Sequence, residues 1–270
     1  MCSIISLQSS PREIGRYFPE LRDPTGCDSK GIDLRAHGFL KNERAPVVFA
    51  DGAGKCVVEE KYFSLCPAWS KQWPFSFETY NARLSRPKRT RVDGAKNSQV
   101  VCDEKGNPVE ECIYSVPSFR DAFNSGQTCL VPISAAVESC YFGLSAGHIV
   151  RFSPREGSFL FALGLYNDWV DPASGEIIPT FTLLTDAPDR FVHSHGHDRG
   201  LIVIAQEEWQ SWLADRRMSG VQRLKFAREK RIQPAWRCES ERPLKAGWQR
   251  RAPTAAEIDD IRIWSPLAAV

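Results

Sequence analysis

Short apolar segments recur along this chain, and each is bounded by residues that favour turns. They lie at 46–50, 57–65, 129–133, 148–152, 158–165, 180–184 and 201–205. Runs of this length that alternate or stay apolar predict β-strands. Only 118–123, 206–213 and 220–231 predict helices, and strands do not alternate regularly with helices. The pattern favours one α+β domain over residues 1–270 with a β-rich core.

Composition excludes several other classes of protein. The chain has 270 residues, of which 42% are hydrophobic and 25% charged, unlike collagen, low-complexity chains or disulfide miniproteins. It contains no apolar run of the roughly 20 residues that a membrane helix needs. The first residues lack the basic and apolar regions of a signal peptide. We therefore expect a cytoplasmic protein with no membrane partner.

The second residue offers unusual chemistry. Nine cysteines are scattered with no Cys-x-x-Cys pair, which argues against a structural metal site or a disulfide framework. Cys2 directly follows the initial methionine, so removal of Met1 would leave an α-amine and a thiol on one residue. An α-amino group has a pKa of about 7.7 and is partly neutral at cellular pH. Such an aminothiol condenses with an aldehyde to an imine and then closes a thiazolidine.

Basic residues are concentrated in two stretches although the net charge is only +2. The first covers 83–96 and belongs to a polar, aperiodic segment, 84–113, that we expect to leave the core. The second covers 223–231. Either stretch is a solvated surface or a site for a phosphate backbone.

Several motifs occur in an order that resembles the SOS-response-associated peptidase (SRAP) family, whose members sense abasic sites in single-stranded DNA. They are Cys2, Leu65-Cys66-Pro67-Ala68-Trp69, Asn81-Ala82-Arg83, Cys129-Leu130-Val131-Pro132 with Glu138, Thr180–Thr185, and His197-Asp198-Arg199. The matches cover 2–199, whereas 214–270 match poorly. The resemblance implies a barrel-like core of mainly antiparallel strands, a few peripheral helices and no cofactor.

The resemblance also implies roles for these residues. Cys2 would be the covalent nucleophile, Asn81 would hold its amine or an intermediate, and Glu138 would transfer protons. A histidine would assist opening of the abasic sugar. Phosphates would be bound by a basic group of side chains, and bases would stack on two tryptophans unless those belong to the core. These DNA-binding candidates are Arg83, Arg86, Lys88, Arg89, Arg91, Trp69 and Trp73.

The chain departs from the family motifs at several positions. Ser3 and Ile4 replace the Gly-Arg that follows the cysteine, and Leu84 begins a stretch without the usual Glu. Ser139 stands where a Trp follows the Glu, and Gly200-Leu201 where Met-Pro follows the Arg. These departures indicate a divergent member whose DNA preference or activity has changed.

Two histidines are candidates for the residue that assists opening of the abasic sugar. Alignment on the strand that follows selects His197, whereas counting from Thr185 allows His195. With His193, these residues alternate, so an extended segment would put three imidazoles on one face. Three imidazoles can hold a zinc ion. We favour His197 and no metal.

The sequence thus predicts a sensor of abasic single-stranded DNA that forms a thiazolidine crosslink through Cys2 after autoproteolytic removal of Met1. It would be cytoplasmic, and nucleoid-associated when bound to DNA. One alternative is a non-catalytic DNA-binding relative. Another is a cysteine or N-terminal-nucleophile hydrolase that uses Cys2, Glu138 and His197.

Overall fold

A computed structural model describes residues 4–7, 11–18, 32–35, 44–91, 98–157 and 159–266. The strands are β1 Ile4–Leu7, β2 Ile32–Arg35, β3 Arg44–Ala50, β4 Cys56–Phe63, β5 Asn81–Arg83, β6 Ser85–Pro87, β7 Arg89–Arg91, β8 Ser98–Val100, β9 Glu110–Cys112, β10 Thr128–Ile133, β11 Ala135–Cys140, β12 His148–Pro154, β13 Leu160–Val170, β14 Ile177–Asp186, β15 Gly200–Leu201, β16 Val203–Ile204, β17 Arg231–Ile232 and β18 Trp236–Pro243. The α-helices are α1 Pro11–Gly15, α2 Arg120–Asn124, α3 Arg190–Ser194, α4 Trp209–Ala214, α5 Gly220–Glu229 and α6 Ala255–Asp259. Short 3₁₀ helices cover Ile113–Ser115, Gly143–Ser145, Gln206–Glu208 and Trp248–Arg251.

Five strands close into a barrel in the order β14-β4-β3-β10-β13, with β13 returning to β14. Four of the five pairings are antiparallel, and the β14–β4 pairing, which joins Phe181 to Phe63, is parallel. Closure leaves no free edge within this ring of strands. The predicted α+β fold with a β-rich barrel is therefore confirmed.

Alternation along the strands separates two hydrophobic clusters. Val47 and Phe49 of β3 pack with Cys129 and Val131 of β10 in the cluster that fills the barrel. The residues that alternate with these along the strands, such as Val48 and Leu130, belong to a larger outer cluster. There they pack with Phe123 of α2 and with Trp209 and Trp212 of α4. This period of two is the pattern of strands buried on both faces.

A second sheet, of order β18-β12-β11-β1-β2, lies beside the barrel. Its central strand β11 pairs with β1 through Ile4 opposite Val137, and with β12 through Glu138 opposite Val150. β11 follows β10 after the single residue Ser134, so the two sheets are joined at this corner. The fold thereby fixes Glu138 in the middle of a paired strand.

Most elements agree with the sequence predictions within a few residues. The polar segment 84–113 does leave the core, but it is ordered as two antiparallel ribbons, β6–β9 and β7–β8. Residues 214–270, in which we found no family motif, contribute α5 and the edge strand β18. None of the helices in the described residues is long and apolar enough to span a membrane.

Candidate active site

Glu138 and His197 form a buried pair at the junction of the two sheets. Their side chains are 4% and 3% exposed, and His197 Nε2 lies 3.3 Å from Glu138 Oε2. On the other side of the ring, His197 Nδ1 lies 3.3 Å from the carbonyl oxygen of Ser139. This burial does not fit an exposed carboxylate at the end of a strand without a functional role.

The hydrogen-bond pattern requires a transferable proton in this pair. A carbonyl oxygen only accepts, so Nδ1 of His197 donates to Ser139. Nε2 and the Glu138 carboxylate attract each other only when a second proton lies on one of them. Burial lowers the pKa of His197, and the Glu138 charge acts in the opposite direction. A proton held between a carboxylate and an imidazole suits general acid–base chemistry.

Helix α3 and the turn after it place His197 against β11. Asp189 caps α3 by accepting from the Val192 N–H at 2.9 Å, and its other oxygen accepts from the Trp236 indole at 2.9 Å. Gly196 then adopts a φ of +101°, a conformation that favours glycine. Its carbonyl accepts from the Tyr141 N–H at 3.1 Å, which ties the turn to the end of β11.

Strand β5 carries Asn81 and Arg83, of which Arg83 lies within electrostatic reach of Asp198 and Arg199. It pairs in parallel with β14, with Asn81 opposite Leu183 and Arg83 opposite Thr185. The side chain of Arg83 is half-buried, and its pKa is lowered by burial and by the nearby charge of Arg199. Both guanidinium groups interact with the Asp198 carboxylate, and Asp198 Oδ2 lies 3.5 Å from Arg199 Nε.

Two residues beside these were not singled out from the sequence. Burial and the Glu78 charge raise the pKa of Tyr80 to about 12, with a smaller contribution from Glu138 and an opposing one from Arg199. Burial acts to raise the pKa of Asp198, but His197, Arg199 and Arg83 together hold it below its ordinary value. Asp198 is thus a carboxylate among cations. Its position next to His197 was the available signal in the sequence.

The side chains predicted to bind DNA differ in how exposed they are to solvent. Lys88 and Arg89 are exposed on the ribbons, and Arg86 pairs with Glu111 at 2.8 Å. Trp69 is 46% exposed, and its indole N–H donates to the Pro117 carbonyl at 2.9 Å. Trp73 is half-buried with its ring 5.6 Å from Tyr62.

Two predicted residues have side chains outside the described residues. Cys2 lies before Ile4, where the description of the chain begins, and Arg91 is described only in its backbone.

The expectation that three histidines share a face is wrong. Residues 190–194 form α3 and His195 is its C-cap, so the segment is not extended. His193 packs edge-on against Phe142, and His195 Nδ1 lies 2.8 Å from Ser145 Oγ. No group of three metal-ligating side chains occurs in the described part of the chain. Of the two candidate histidines, His197 is the one beside Glu138.

The sequence model of the family described as SOS response associated peptidase (SRAP) matches residues 96–236, just over half of the chain. The chain belongs to the SRAP family. The matched region contains Glu138, His197 and Arg199, whereas Cys2, Asn81 and Arg83 precede it. Membership associates this SRAP protein with DNA damage and with a peptidase or abasic-site-processing activity at the level of the family.

Solved structures similar to this SRAP chain support the fold. A protein from Bacteroides thetaiotaomicron has 16% identity and a TM-score of 0.65, covering 89% of this chain and 92% of its own. A Bordetella bronchiseptica protein has 15% identity and a TM-score of 0.61 over 89% and 100%. A phage-related protein from the same organism has 15% identity and a TM-score of 0.56 over 89% and 94%. No curated protein matches the sequence.

Proposed function

We propose that this SRAP protein binds single-stranded DNA at abasic sites and forms a covalent thiazolidine with the lesion through Cys2. The observation that carries the proposal is the buried Glu138–His197 pair beside the Arg83 and Arg199 guanidinium groups. An abasic sugar provides an aldehyde at C1′ and phosphates on both sides. The pair supplies protons for the aldehyde chemistry, and the cations attract the phosphates.

Ile4, two residues after the proposed nucleophile, is paired beside Glu138. Ile4 of β1 lies opposite Val137, the residue before Glu138. Two peptide units span at most about 7.6 Å between Cα atoms. This connectivity supports the choice of Cys2 as the nucleophile of this site.

The reaction consumes no oxidant or reductant. Hydrolysis of the Met1–Cys2 peptide bond uses one water and frees the α-amine. His197 assists proton transfer as the closed sugar opens to its aldehyde. The amine adds to C1′, Glu138 protonates the hydroxyl that leaves as water, and an imine forms. The Cys2 thiol then adds to the imine carbon, its proton moves to the nitrogen, and the ring closes.

Intact-mass spectrometry before and after incubation with an abasic single-stranded oligonucleotide tests this proposal. We expect a protein that lacks Met1, and an adduct whose mass is the sum of protein and DNA less one water. Cys2→Ala should form no adduct. Retention of Met1 without an adduct would favour a DNA-binding relative without chemistry. Loss of Met1 without an adduct would favour an amide hydrolase.

A second variant tests the proton-transfer pair. Glu138→Gln keeps the shape of the side chain and removes the titrating carboxyl, so we expect crosslinking to slow by about 100-fold or more. Affinity for undamaged single-stranded DNA should change little, because Glu138 does not contact phosphates in this proposal. Asp121→Gln is a matched control at an exposed carboxylate on α2. An unchanged crosslinking rate in Glu138→Gln would remove Glu138 from the mechanism.

A further inference from the structure

A basic cleft lies between the second sheet and the C-terminal part of the chain. We call it the C-terminal cleft. Its volume is about 590 Å³, and its core side is formed by Ser139, Tyr141 and Ile149. The opposite side is formed by residues that follow the region matched by the family model: Arg242, Leu244, Lys245, Ala246, Gly247, Trp248, Arg250 and Arg251.

The charged side chains that the structure describes along this cleft are all basic. Arg242, Lys245, Arg250 and Arg251 are exposed, and none of the described residues that line the cleft is acidic. Within the described residues, none of these four cations has a carboxylate partner within 4 Å. The nearest acid in sequence, Glu241, is engaged by Arg151 at 2.6 Å. Cations without partners beside a low-dielectric wall attract anions.

Contacts with the core hold this segment in place. The Leu244 N–H donates to the Gly147 carbonyl at 2.8 Å, and β18 pairs with β12 up to Pro243. The Trp248 indole packs directly on Gly147, where an added Cβ would lie 2.8 Å from the ring. Trp248 is half-buried, so part of its ring remains accessible from the cleft.

The C-terminal cleft is continuous with the proposed reaction centre. Tyr141, Arg250 and Arg251 also line a neighbouring cleft of about 570 Å³, which contains His197 and Asp198. That neighbouring cleft includes the acid Glu257, whose carboxylate accepts from the Thr254 N–H and hydroxyl at the start of α6. A strand leaving His197 therefore passes Arg250 and Arg251 before it enters the C-terminal cleft.

We infer that the C-terminal cleft binds the backbone of the single-stranded DNA segment that flanks the lesion. This inference rests on the proposed function and assigns a second anchoring surface to it. Spaced cations around an accessible indole suit a chain that presents phosphates and bases together. An acidic peptide would pair with the basic side chains, but its carboxylates would offer no ring to stack on the Trp248 indole.

The test compares two double variants by their affinity for undamaged single-stranded DNA at several salt concentrations. Arg250→Ala with Arg251→Ala removes two cations of the cleft. Arg217→Ala with Lys225→Ala is the matched control, since both side chains are exposed on the helical side of the barrel. With an oligonucleotide of about 20 residues, we expect the cleft variant to bind roughly tenfold more weakly. Its salt-dependence slope should fall by about 1.4, because each phosphate contact contributes about 0.7.

Binding of a short oligonucleotide and of polyglutamate by the same variants is measured as well. An oligonucleotide of about five residues is too short to fill both regions, so the cleft variant should bind it like the wild type. Equal slopes for the two double variants on the long strand would overturn the inference. Loss of polyglutamate binding with unchanged DNA binding would overturn it in favour of an acidic protein. Crosslinking of an abasic strand by the wild type is measured separately, so its failure would refute the chemistry and leave the cleft result intact.

Discussion

The two basic stretches of this chain look alike in sequence and have opposite environments in the structure. Residues 223–231 form α5 and the start of β17, and 83–91 form β5 and the exposed ribbons. In 223–231 several cations bind the protein itself. In 83–91 most of the described cations face solvent. The density of cations in a sequence therefore does not predict whether they are available to a ligand.

Arg223 shows how α5 uses a cation internally. It is 1% exposed, and its guanidinium donates to the carbonyls of Phe123, Met218 and Asp215 at 2.7, 3.0 and 3.0 Å. Arg231 is also buried and donates to the Ala187 carbonyl at 2.7 Å. Planar guanidinium groups suit this role because they satisfy several acceptors at once. The prediction that 223–231 is a solvated or phosphate-binding surface is wrong for these residues.

Replacement of Arg223 should have the largest effect of the variants in either stretch. Arg223→Met leaves one buried and two partly buried carbonyls without their donor, so we expect the free energy of unfolding to fall by about 3 kcal/mol. Chemical denaturation measures this loss. Lys225→Met, on the exposed side of the same helix, should change stability by less than about 0.5 kcal/mol. A stable Arg223→Met protein would mean that these carbonyls find other donors.

Arg83 lies between the two extremes. It is half-buried beside Arg199, and within the described residues no hydrogen-bond acceptor reaches its Nε. Arg83→Gln should weaken binding to single-stranded DNA by about tenfold, because one phosphate contact is lost near the reaction centre. Arg83→Lys should recover part of that loss by restoring the charge. Equal affinity of all three proteins at low salt would show that Arg83 does not contact the backbone.

Local patterns were sufficient to predict a β-rich core, whereas its barrel-like form was implied by the family resemblance and the geometry of the site by neither. Alternation in segments such as 129–133 fixes which side chains face the interior, so the strands followed from residue spacing. The contact between Glu138 and His197 joins residues far apart in sequence through the pairing of sheets, and no local pattern encodes it. The His193, His195 and His197 alternation was misleading because Asp189 caps a helical turn there, which rotates the three rings apart.

The C-terminal part was missed for a related reason. Residues 244–251 have neither a strand period nor a helix period, and the cleft they form depends on packing against Gly147. The arginines at 242, 250 and 251 are therefore spread in sequence among ordinary surface residues. Only the course of the backbone after β18 brings them together beside Ser139 and Tyr141.

The smallest expected effect concerns an ion pair on the exposed ribbon. Arg86 and Glu111 lie on β6 and β9 with Arg86 Nη2 2.8 Å from Glu111 Oε2. A phosphate that binds Arg86 must compete with this carboxylate, so Glu111→Gln should raise affinity for single-stranded DNA about two- to threefold at low salt. In the background of Arg86→Ala the same change should give a smaller gain, and the double-mutant cycle measures the difference. Identical gains in both backgrounds would mean that Glu111 acts only through the general field of the ribbon and does not compete with phosphate for Arg86.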